Sequence, residues 1–376
     1  MASKRLVSTA AQVAQSRVVF SGIQPTGVPH IGNHLGALSQ WQKLVKEQAA
    51  KPSGVEKDKL FFSVVGLHAL TVPQNPAQLL RERREMFAVL LALKLDDPVA
   101  DATLFHQDMV PEHAELAWYL NCCTSVGRLL RMTSWKSKLA TLRNANSEDE
   151  VDDSLLQLGL LAYPVLQAAD ILLYKTTHVP VGQDQTQHLE LARDLAQHFN
   201  KLYPGKRTDG KKGKGRGTFR VPEVMLTTHP RIQSLRNPVQ KMSKSAPNPS
   251  SRIFMTDSPR EILDKVKSAV TDSIAGVTYD PAERPGVSNL VGIHSGYSGE
   301  SIQSIVERFK GPRGILELKD ELGHVVVEGL REFRGEFERL KGDVGYVEAK
   351  ERQGAERARN VARETMEQVR RSVGTL

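Results

Sequence analysis

The chain has 376 residues, which is enough to bury a full core and favours two domains. Hydrophobic residues make up 40% of it and charged residues 25%, and no apolar run approaches the ~20 residues of a membrane span, which excludes a membrane protein. The net charge of +8 indicates a polyanionic partner, although basic mitochondrial matrix proteins carry such an excess without binding nucleic acid. The two cysteines, Cys122 and Cys123, are adjacent, so they predict core filling in a reducing compartment rather than a disulfide framework.

The first residues, MASKRLVSTAAQVAQSR, are rich in basic residues, serine and alanine, and the first acidic residue is Glu47. This composition is typical of an organellar transit peptide. We therefore predict that residues 1–16 form a transit peptide, with a disordered tail as the alternative.

Short apolar runs predict buried parallel strands at 17–20, 60–65, 102–105 and 178–182. Helix-length segments lie between them, for example at 77–94 and 113–122. Alternating strands and helices predict an α/β fold, with a Rossmann-like, doubly wound parallel sheet over residues 17–250. Two polar stretches, 46–59 and 203–217, interrupt the pattern and are expected to be surface insertions. The lysine-rich second one is either a solvated loop or a contact for RNA phosphate.

Strand signals fade after residue 250, where helical patterns follow. In SPREILDKVKSAV, Ser258 stands at a helix cap, Pro259 comes first inside the helix, and Glu261 completes a capping box. Further helical patterns cover 301–309, 315–340 and 355–373. Residues 251–376 are therefore predicted to form an all-helical domain.

The turn GIQPTGVPHIGNHLG at 22–36 joins the first strand to a helix. Backbone N–H groups at the start of a helix bind anions, and glycines allow a flat ring or a phosphate to approach closely. The turn lacks both the dinucleotide fingerprint and the Gly-Lys-Ser/Thr of a P-loop. Ile31 also stands where a zinc protease of the HExxH type has its catalytic glutamate, so we predict no metal site here.

The segment KMSKS at 241–245 offers two ammonium groups and two hydroxyl groups to a polyphosphate. Together, HIGN and KMSKS resemble the two signatures of class I aminoacyl-tRNA synthetases. Three further segments indicate which family within this class the chain resembles: YPVLQAADILLY, VPVGQDQTQHLELARDLAQHFN and KSAVTDS. From about Phe20 to its C-terminus the chain resembles the tryptophanyl-tRNA synthetase family. With its basic leader it is similar to the mitochondrial form. It departs from that family at Gly66, where an aspartate is common.

This resemblance implies that the protein activates L-tryptophan with ATP, accompanied by Mg²⁺, and transfers it to the 3′ end of tRNA(Trp). It also implies a homodimer. Two alternatives stay open: a tyrosyl-tRNA synthetase, and an RNA-binding protein that keeps the fold without the activity. The signature residues His30, Asn33, Lys241, Ser243 and Lys244 are all present, which favours an enzyme.

Asp170 is the candidate for selecting tryptophan, because it is a carboxylate in an otherwise apolar segment and the indole N–H needs an acceptor. The alternative is a helix residue bonded to backbone. The resemblance implies that Tyr163, Gln167 and Gln185 contact the amino and carboxylate groups of the substrate or line its pocket. It places Phe20 and His68 at the edge of that pocket, with a core role as their alternative.

For ATP, the resemblance implies a binding set along the nucleotide and a smaller catalytic set of His30, Asn33, Lys241 and Lys244. His30 would stabilise the phosphates in the transition state, and the two lysines would neutralise the leaving pyrophosphate. Lys138 is either a third cation or a surface lysine. The remaining binding residues are Gln24, Pro25, Thr26 and Gly32 in the first turn, Gly182, Gln183 and Asp184 at the ribose, Ile232 at adenine, and Met242, Ser243 and Ser245 in the KMSKS segment.

The last predicted helix is rich in arginine. We expect the helical domain of residues 251–376 to bind the anticodon end of tRNA, with the basic residues of this last helix meeting phosphate, while Glu356 and Glu364 indicate a solvated face. The alternative is a helix that braces the catalytic domain. The arginines concerned are Arg352, Arg357, Arg359, Arg363, Arg370 and Arg371.

Overall fold

The computed structural model describes residues 16–133, 135–136, 139, 156–181, 186–204, 217–226 and 231–376. Its centre is a parallel five-stranded sheet in the order β3-β2-β1-β4-β5. The strands are β1 Val18–Ile23, β2 Lys59–Val64, β3 Ala102–His106, β4 His178–Val181 and β5 Glu223–Leu226. The four predicted strands are confirmed, and the edge strand β5 was not predicted.

Strand order decides where a ligand is expected to bind. From β1 the chain runs to β2 and β3 on one side of the sheet, then crosses to β4 and β5 on the other. Ligands of open parallel sheets bind outside the carboxyl ends of the strands, where the strand order reverses. The turn at 22–36 follows β1 at that point.

Alternate residues of β1, β2 and β3 enter cores on opposite faces of the sheet. Val19, Leu60 and Leu104 belong to one apolar cluster, and their neighbours Phe20, Phe61 and Phe105 belong to the other. Helices cover both faces of the sheet, so both sides of these strands are buried and their sequences are continuous apolar runs.

The helices in this part of the chain include the predicted segments 77–94 and 113–122, which are confirmed to within two residues as α4 (Pro76–Ala92) and α5 (Glu112–Cys122). A short π-helical turn, His34–Leu38, separates α1 from α2. The helices are α1 Ile31–Asn33, α2 Ser39–Ala49, α3 Gly66–Ala69, α4 Pro76–Ala92, α5 Glu112–Cys122, α6 Val126–Leu130, α7 Leu158–Leu172 and α8 Thr186–Leu202.

After residue 251 the regular elements of the structure are helices, as predicted. They are α9 Pro259–Lys267, α10 Pro285–Ser298, α11 Ile302–Arg308, α12 Gly314–Gly329, α13 Arg331–Gly342 and α14 Val344–Val373. The capping box of Ser258 and Glu261 is confirmed. The predicted helix 315–340 is two helices that meet at Leu330. Helix α10 was not predicted, because its glycines and serines have low helix propensity and burial stabilises it instead.

The final helix, α14, returns to the sheet and packs on β3 and α5. Gly354 allows this close approach, because a Cβ atom there would overlap the carbonyl oxygen of Leu104. Several of the arginines for which phosphate contacts are predicted pair with carboxylates of the sheet part, and these pairs fit the bracing role that is the alternative. These pairs are Arg357 with Asp96, Arg359 and Arg363 with Glu112, and Arg370 with Glu115.

Other surface predictions need adjustment. Cys122 is exposed and Cys123 half-buried at the end of α5, so the predicted core role is wrong for Cys122. Asp58, at the end of the 46–59 insertion, is buried against Arg17 and Gln48. Residues 205–216 of the second insertion lie outside the described residues. No helix in the described part of the chain combines the length and apolar character of a membrane span.

Candidate active site

The HIGN motif begins a helix at the carboxyl end of β1. His30 is the N-cap residue of α1: its Nδ1 accepts a hydrogen bond from the Asn33 backbone N–H at 3.2 Å. In return, Asn33 Oδ1 accepts the backbone N–H of His30 at 3.2 Å, which completes a capping box. Asn33 therefore orients His30, and the His30 side chain presents Nε2 on its other side.

Burial lowers the pKa of His30 from 6.5 to about 4, and the charges of Lys244, Lys241 and Arg252 add to this effect. The imidazole is therefore neutral at physiological pH. Because Nδ1 accepts a hydrogen bond, the proton resides on Nε2. His30 is thus placed to offer a neutral N–H donor rather than a positive charge.

Backbone pairing brings residues 253–255, which follow the KMSKS segment in the chain, to this turn. The N–H of Ile31 donates to Ile253 O at 2.9 Å, and the N–H of Met255 donates to Pro29 O at 3.0 Å. Met242, in the middle of KMSKS, is buried and donates its backbone N–H to Ile232 O at 3.1 Å. The predicted adenine contact is thereby joined directly to the KMSKS segment.

Ile232 also lies close to the HIGN helix. A Cβ atom at Gly32 would lie 3.5 Å from Ile232 Cβ and 3.0 Å from the His30 ring. The glycine therefore keeps room between the His30 ring and Ile232. The residue predicted to contact adenine and the residue predicted to contact the phosphates are therefore neighbours in the fold.

The ammonium group of Lys244 binds the first turn. Its Nζ donates to the carbonyl oxygens of Thr26 at 3.0 Å and Gly27 at 2.8 Å, and to Thr26 Oγ1 at 3.2 Å. Burial lowers the pKa of Lys244 to about 8, partly offset by the charge of Glu82. Lys241 is exposed, and Ser243 Oγ lies 3.0 Å from Ser245 Oγ.

Asp170 is almost fully buried and holds three side-chain donors. Gln107 Nε2 donates to both carboxylate oxygens, at 2.7 and 2.8 Å. His113 Nδ1 donates to Oδ1 at 2.7 Å, and His68 Nε2 donates to Oδ2 at 2.9 Å. Burial opposes ionisation, but the two histidines outweigh it and lower the pKa of Asp170 to about 2. The carboxylate is therefore charged, and the alternative of a backbone-bonded helix residue does not describe it.

The aromatic wall behind Asp170 is continuous with the core. Tyr174 Oη lies 2.8 Å from His113 Nε2, and its ring stacks on Phe20 with a centroid distance of 5.6 Å and on Phe61 with one of 4.5 Å. Burial, followed by the charge of Asp170, raises the pKa of Tyr174, so its hydroxyl stays protonated and donates to His113. Phe20 thus lies in the core beside the candidate pocket.

Tyr163, Gln167 and Asp170 follow one another at helical spacing on α7, so they share one face of it. Tyr163 Oη lies 3.2 Å from Nε2 of His188, a residue that sequence reasoning missed. The ring of Tyr163 is edge-on to that of His68 at 6.2 Å. The predicted ligands Lys138, Gly182, Gln183, Asp184 and Gln185 lie outside the described residues.

The departure at Gly66 has a structural counterpart. Asp108, two residues beyond the end of β3, binds Arg83 with both carboxylate oxygens, at 2.8 and 3.0 Å. A Cβ atom at Gly66 would lie 3.1 Å from Asp108 Oδ2. An aspartate at position 66 would therefore face the carboxylate of Asp108.

Sequence reasoning also missed Gln107 and His113, which lie in the segment HQDMVPEH. The available signal was a run of polar residues directly after the buried strand β3. Side chains that follow parallel strands meet at the same edge of the sheet, which is where ligands bind.

Comparison with known proteins identifies related chains. The sequence model of the family tRNA synthetases class I (W and Y) matches residues 14–330. The mitochondrial tryptophan–tRNA ligase of Saccharomyces cerevisiae is 41% identical over 99% of this chain and 97% of its own. The tryptophan–tRNA ligase of Bacillus anthracis is 40% identical over 95% and 98%. The tryptophanyl-tRNA synthetase of Campylobacter jejuni, solved with ADP and tryptophan, has a TM-score of 0.74 at 29% identity and covers 95% of this chain and 99% of that one.

Proposed function

The chain belongs to the class I tRNA synthetases of the tryptophan and tyrosine family, and we propose on this premise that it is a tryptophan–tRNA ligase. It activates L-tryptophan with ATP and transfers the amino acid to the 3′ end of tRNA(Trp). The observations that carry this function are the pairing of Lys244 in KMSKS with the first turn and the presence of a buried, charged Asp170 on α7.

The first step forms tryptophanyl-adenylate. A carboxylate oxygen of tryptophan attacks the α-phosphorus of ATP, a new O–P bond forms, and the bond to the β-phosphate oxygen breaks. The electron pair leaves on pyrophosphate. This step needs no protein nucleophile, because alignment of the reactants and stabilisation of charge provide the catalysis.

The side chains near the phosphates have distinct tasks. Neutral His30 donates a hydrogen bond to a phosphate oxygen through Nε2, and Asn33 holds the His30 ring in place. Lys244 leaves the carbonyl oxygens of Thr26 and Gly27 and turns its charge toward the leaving pyrophosphate, together with Lys241. Because the carbonyls hold Lys244 in the free protein, its charge acts mainly as the transition state forms.

Magnesium is proposed to arrive with the nucleotide. In the described ranges, no group of three or more His, Cys, Asp or Glu residues is arranged to hold a metal ion. The donor atoms that suit Mg²⁺ are then the phosphate oxygens themselves, with Lys241 and Lys244 beside them. The ion would supply charge neutralisation when bound.

The second step transfers the activated acyl group to the 2′-hydroxyl of the terminal adenosine of tRNA(Trp), with release of AMP. The helices between α9 and α13 are the proposed anticodon-binding part. We place α14 outside that part, because several of its arginines pair with carboxylates of the sheet domain.

Selection of tryptophan is proposed to depend on Asp170, whose charged carboxylate accepts the indole N–H. Phenylalanine has no such donor, so it would lose that hydrogen bond in a buried site. The charge and burial of Asp170 support this role. Tyr163 and Gln167 lie on the same face of α7 and would line the same pocket.

A homodimer is proposed from exposed apolar residues on neighbouring helices. Trp118 of α5, Val126 and Leu130 of α6, and Leu158 of α7 are 69%, 60%, 45% and 77% exposed. Helices α5 and α6 both pack on α7, so these side chains lie on one part of the surface. Trp118→Lys is expected to yield a monomer in sedimentation experiments. Leu316→Lys, at a similarly exposed site on α12, is the control that stays dimeric.

A mitochondrial location is proposed because the Saccharomyces relative is a mitochondrial enzyme, and because the first 16 residues contain no acid. Residues 1–16 fused to a fluorescent protein are expected to direct it to mitochondria. A diffuse cytoplasmic signal would contradict this location.

The function itself is tested by tryptophan-dependent exchange of labelled pyrophosphate into ATP. We expect exchange with tryptophan and little with tyrosine, followed by charging of tRNA(Trp). Exchange that tyrosine drives would select the tyrosyl enzyme. Absence of exchange with either amino acid would support an inactive RNA-binding protein.

A further inference from the structure

The carboxylate of Asp170 has its hydrogen-bonding capacity filled before any substrate binds. Oδ1 accepts from Gln107 Nε2 and His113 Nδ1, and Oδ2 accepts from Gln107 Nε2 and His68 Nε2. A carboxylate offers about four lone-pair positions. An indole N–H that reaches Asp170 must therefore replace one of these donors.

The three donors differ in how firmly they are held. Gln107 and His113 are completely buried, and each is bound at its other end. Gln107 Oε1 accepts the backbone N–H of Leu67 at 3.0 Å, and His113 Nε2 accepts the Tyr174 hydroxyl at 2.8 Å. Neither side chain can turn without breaking a second buried hydrogen bond.

His68 is placed differently. It lies on the four-residue helix α3, its side chain is 6% exposed, and its ring is edge-on to that of Tyr163, which shares a face of α7 with Asp170. It binds Oδ2 at 2.9 Å, the longest of the contacts to the carboxylate. Of the three donors, His68 is the one that substrate can displace at the smallest cost.

We propose that Gln107 and His113 are positioning residues that hold the Asp170 carboxylate, and that the indole N–H of tryptophan replaces His68 at Oδ2. This inference rests on the proposed function. Exchange of one N–H donor for another leaves the buried charge fully hydrogen-bonded. An amino acid without an N–H either leaves His68 in its way or leaves Asp170 short of a donor, and both outcomes oppose binding.

The test compares tryptophan with β-(3-benzothienyl)alanine, in which sulfur replaces the indole N–H at nearly constant shape. The readout is the ratio of the two kcat/KM values in pyrophosphate exchange. Gln107→Met and His113→Phe are each expected to lower this ratio about tenfold, the scale of one weakened hydrogen bond. A purely structural role would lower both values together and leave the ratio unchanged.

Matched variants distinguish the contribution of His113 Nδ1, the donor to Asp170, from that of Nε2, the acceptor for Tyr174. His113→Asn keeps an N–H donor near the position of Nδ1 but loses the acceptor for Tyr174. Its kcat/KM ratio of tryptophan to the analogue should therefore stay close to that of the parent protein. Gln303→Met, at an exposed site on α11, is the control for the glutamine substitution and should retain all of it. Thermal unfolding of every variant shows whether it is folded.

Replacement of His68 by the indole N–H at Asp170 Oδ2 predicts a separate effect on tryptophan binding. In His68→Phe the indole N–H has no competitor, so KM for tryptophan should fall about fivefold, and tryptophan should raise the Tm more than in the parent protein. A KM that rises would mean that His68 holds the substrate, and it would overturn the exchange.

Two further outcomes distinguish the inference from the function on which it rests. An active parent protein whose folded Gln107→Met and His113→Phe variants keep the full ratio overturns the positioning role alone. A parent protein that does not activate tryptophan overturns the proposed function, and this inference with it.

Discussion

The ammonium group of Lys244 lies 2.8 Å from the carbonyl oxygen of Gly27, and 217 residues of sequence separate them. The contact joins the two signature motifs in the free protein. It also places the lysine on backbone oxygens that compete with phosphate for its charge. The contribution of Lys244 to ATP binding should therefore be small, because binding requires this contact to break first.

Replacement of Lys244 by alanine should lower kcat for adenylate formation about 100-fold or more, while KM for ATP changes only a few-fold. The physical reason is that the charge of Lys244 is needed when pyrophosphate leaves. Steady-state pyrophosphate exchange measures both constants, and Lys267→Ala, at an exposed site on α9, is the control. A rise in KM alone would show uniform binding instead.

The activity should also decline in alkaline solution. Burial lowers the pKa of Lys244 to about 8, so the free protein loses this charge as the pH rises through about 8. We expect kcat/KM for ATP to fall above that pH. Lys244→Arg keeps a charge at every accessible pH, so the decline should move to higher pH in this variant. An unchanged alkaline limb in Lys244→Arg would assign the decline to another group.

Two histidines, the buried His30 and the half-buried His34, should make the protein sensitive to acid. Burial lowers the pKa values of His30 and His34 from 6.5 to about 4. Between these values the unfolded chain binds more protons than the folded protein. Stability is therefore complete above about pH 6.5 and falls as the pH drops toward 4, by roughly 2 kcal/mol per histidine between about pH 7 and about pH 5.

Urea unfolding at the two pH values measures this loss. His34 lies between Tyr297 Oη at 2.9 Å and Gln42 Oε1 at 3.3 Å, so His34→Gln keeps a polar group in place and removes the titration. The decrease in the free energy of unfolding between about pH 7 and about pH 5 should become smaller by about 2 kcal/mol in this variant. His324→Gln, on the surface of α12, should leave it unchanged. Equal losses in all three proteins would show that other groups cause the acid sensitivity.

Asp170→Asn tests the selection of tryptophan more cleanly than an alanine variant. Alanine would leave three buried donors without an acceptor, so lost activity and lost folding would be confused. The asparagine variant keeps the volume and removes the charge. We expect kcat/KM for tryptophan to fall about 100-fold, the scale of a charge-assisted hydrogen bond. Unchanged kinetics in a folded Asp170→Asn protein would exclude the proposed role.

Local rules explain which parts of the fold were predictable. Strand β1 and the Ser258 capping box depend on neighbouring residues, so periodicity and cap chemistry identify both. Strand β5 has four residues and begins with Glu223, so it carries almost no pattern of its own and forms because β4 offers an open edge. Helix α10 likewise depends on burial rather than on propensity.

The residues of the candidate site likewise include some that the sequence predicts and some that it does not. Asp170 was predictable because a single acid in an apolar helix must have a partner. Its partners Gln107 and His113 were not predictable, because they come from another part of the chain and meet Asp170 only after the sheet forms. The acids that engage the α14 arginines are equally distant in sequence, and this is why phosphate binding was predicted for a helix that braces the sheet.

This placement of α14 changes what a truncation should do. From the sequence, deletion of residues 352–376 is expected to spare adenylate formation and abolish tRNA charging. In the structure, those residues pack on β3 and α5, and Arg357 pairs with the buried Asp96. Glu351, one position before the deletion, accepts a hydrogen bond from buried His106 at 2.8 Å. We now expect the deletion to remove both activities and to lower the Tm.

Two glycines of α14 allow a sharper test of the same contact. A Cβ atom at Gly354 would overlap the carbonyl oxygen of Leu104, whereas one at Gly345 has open space around it. Gly354→Ala should therefore destabilise the protein by about 2 kcal/mol or more, because β3 and α14 must separate. Gly345→Ala should stabilise it by about 0.5–1 kcal/mol through helix propensity alone. Urea unfolding measures both changes, and equal stabilisation by the two substitutions would show that α14 does not pack on β3.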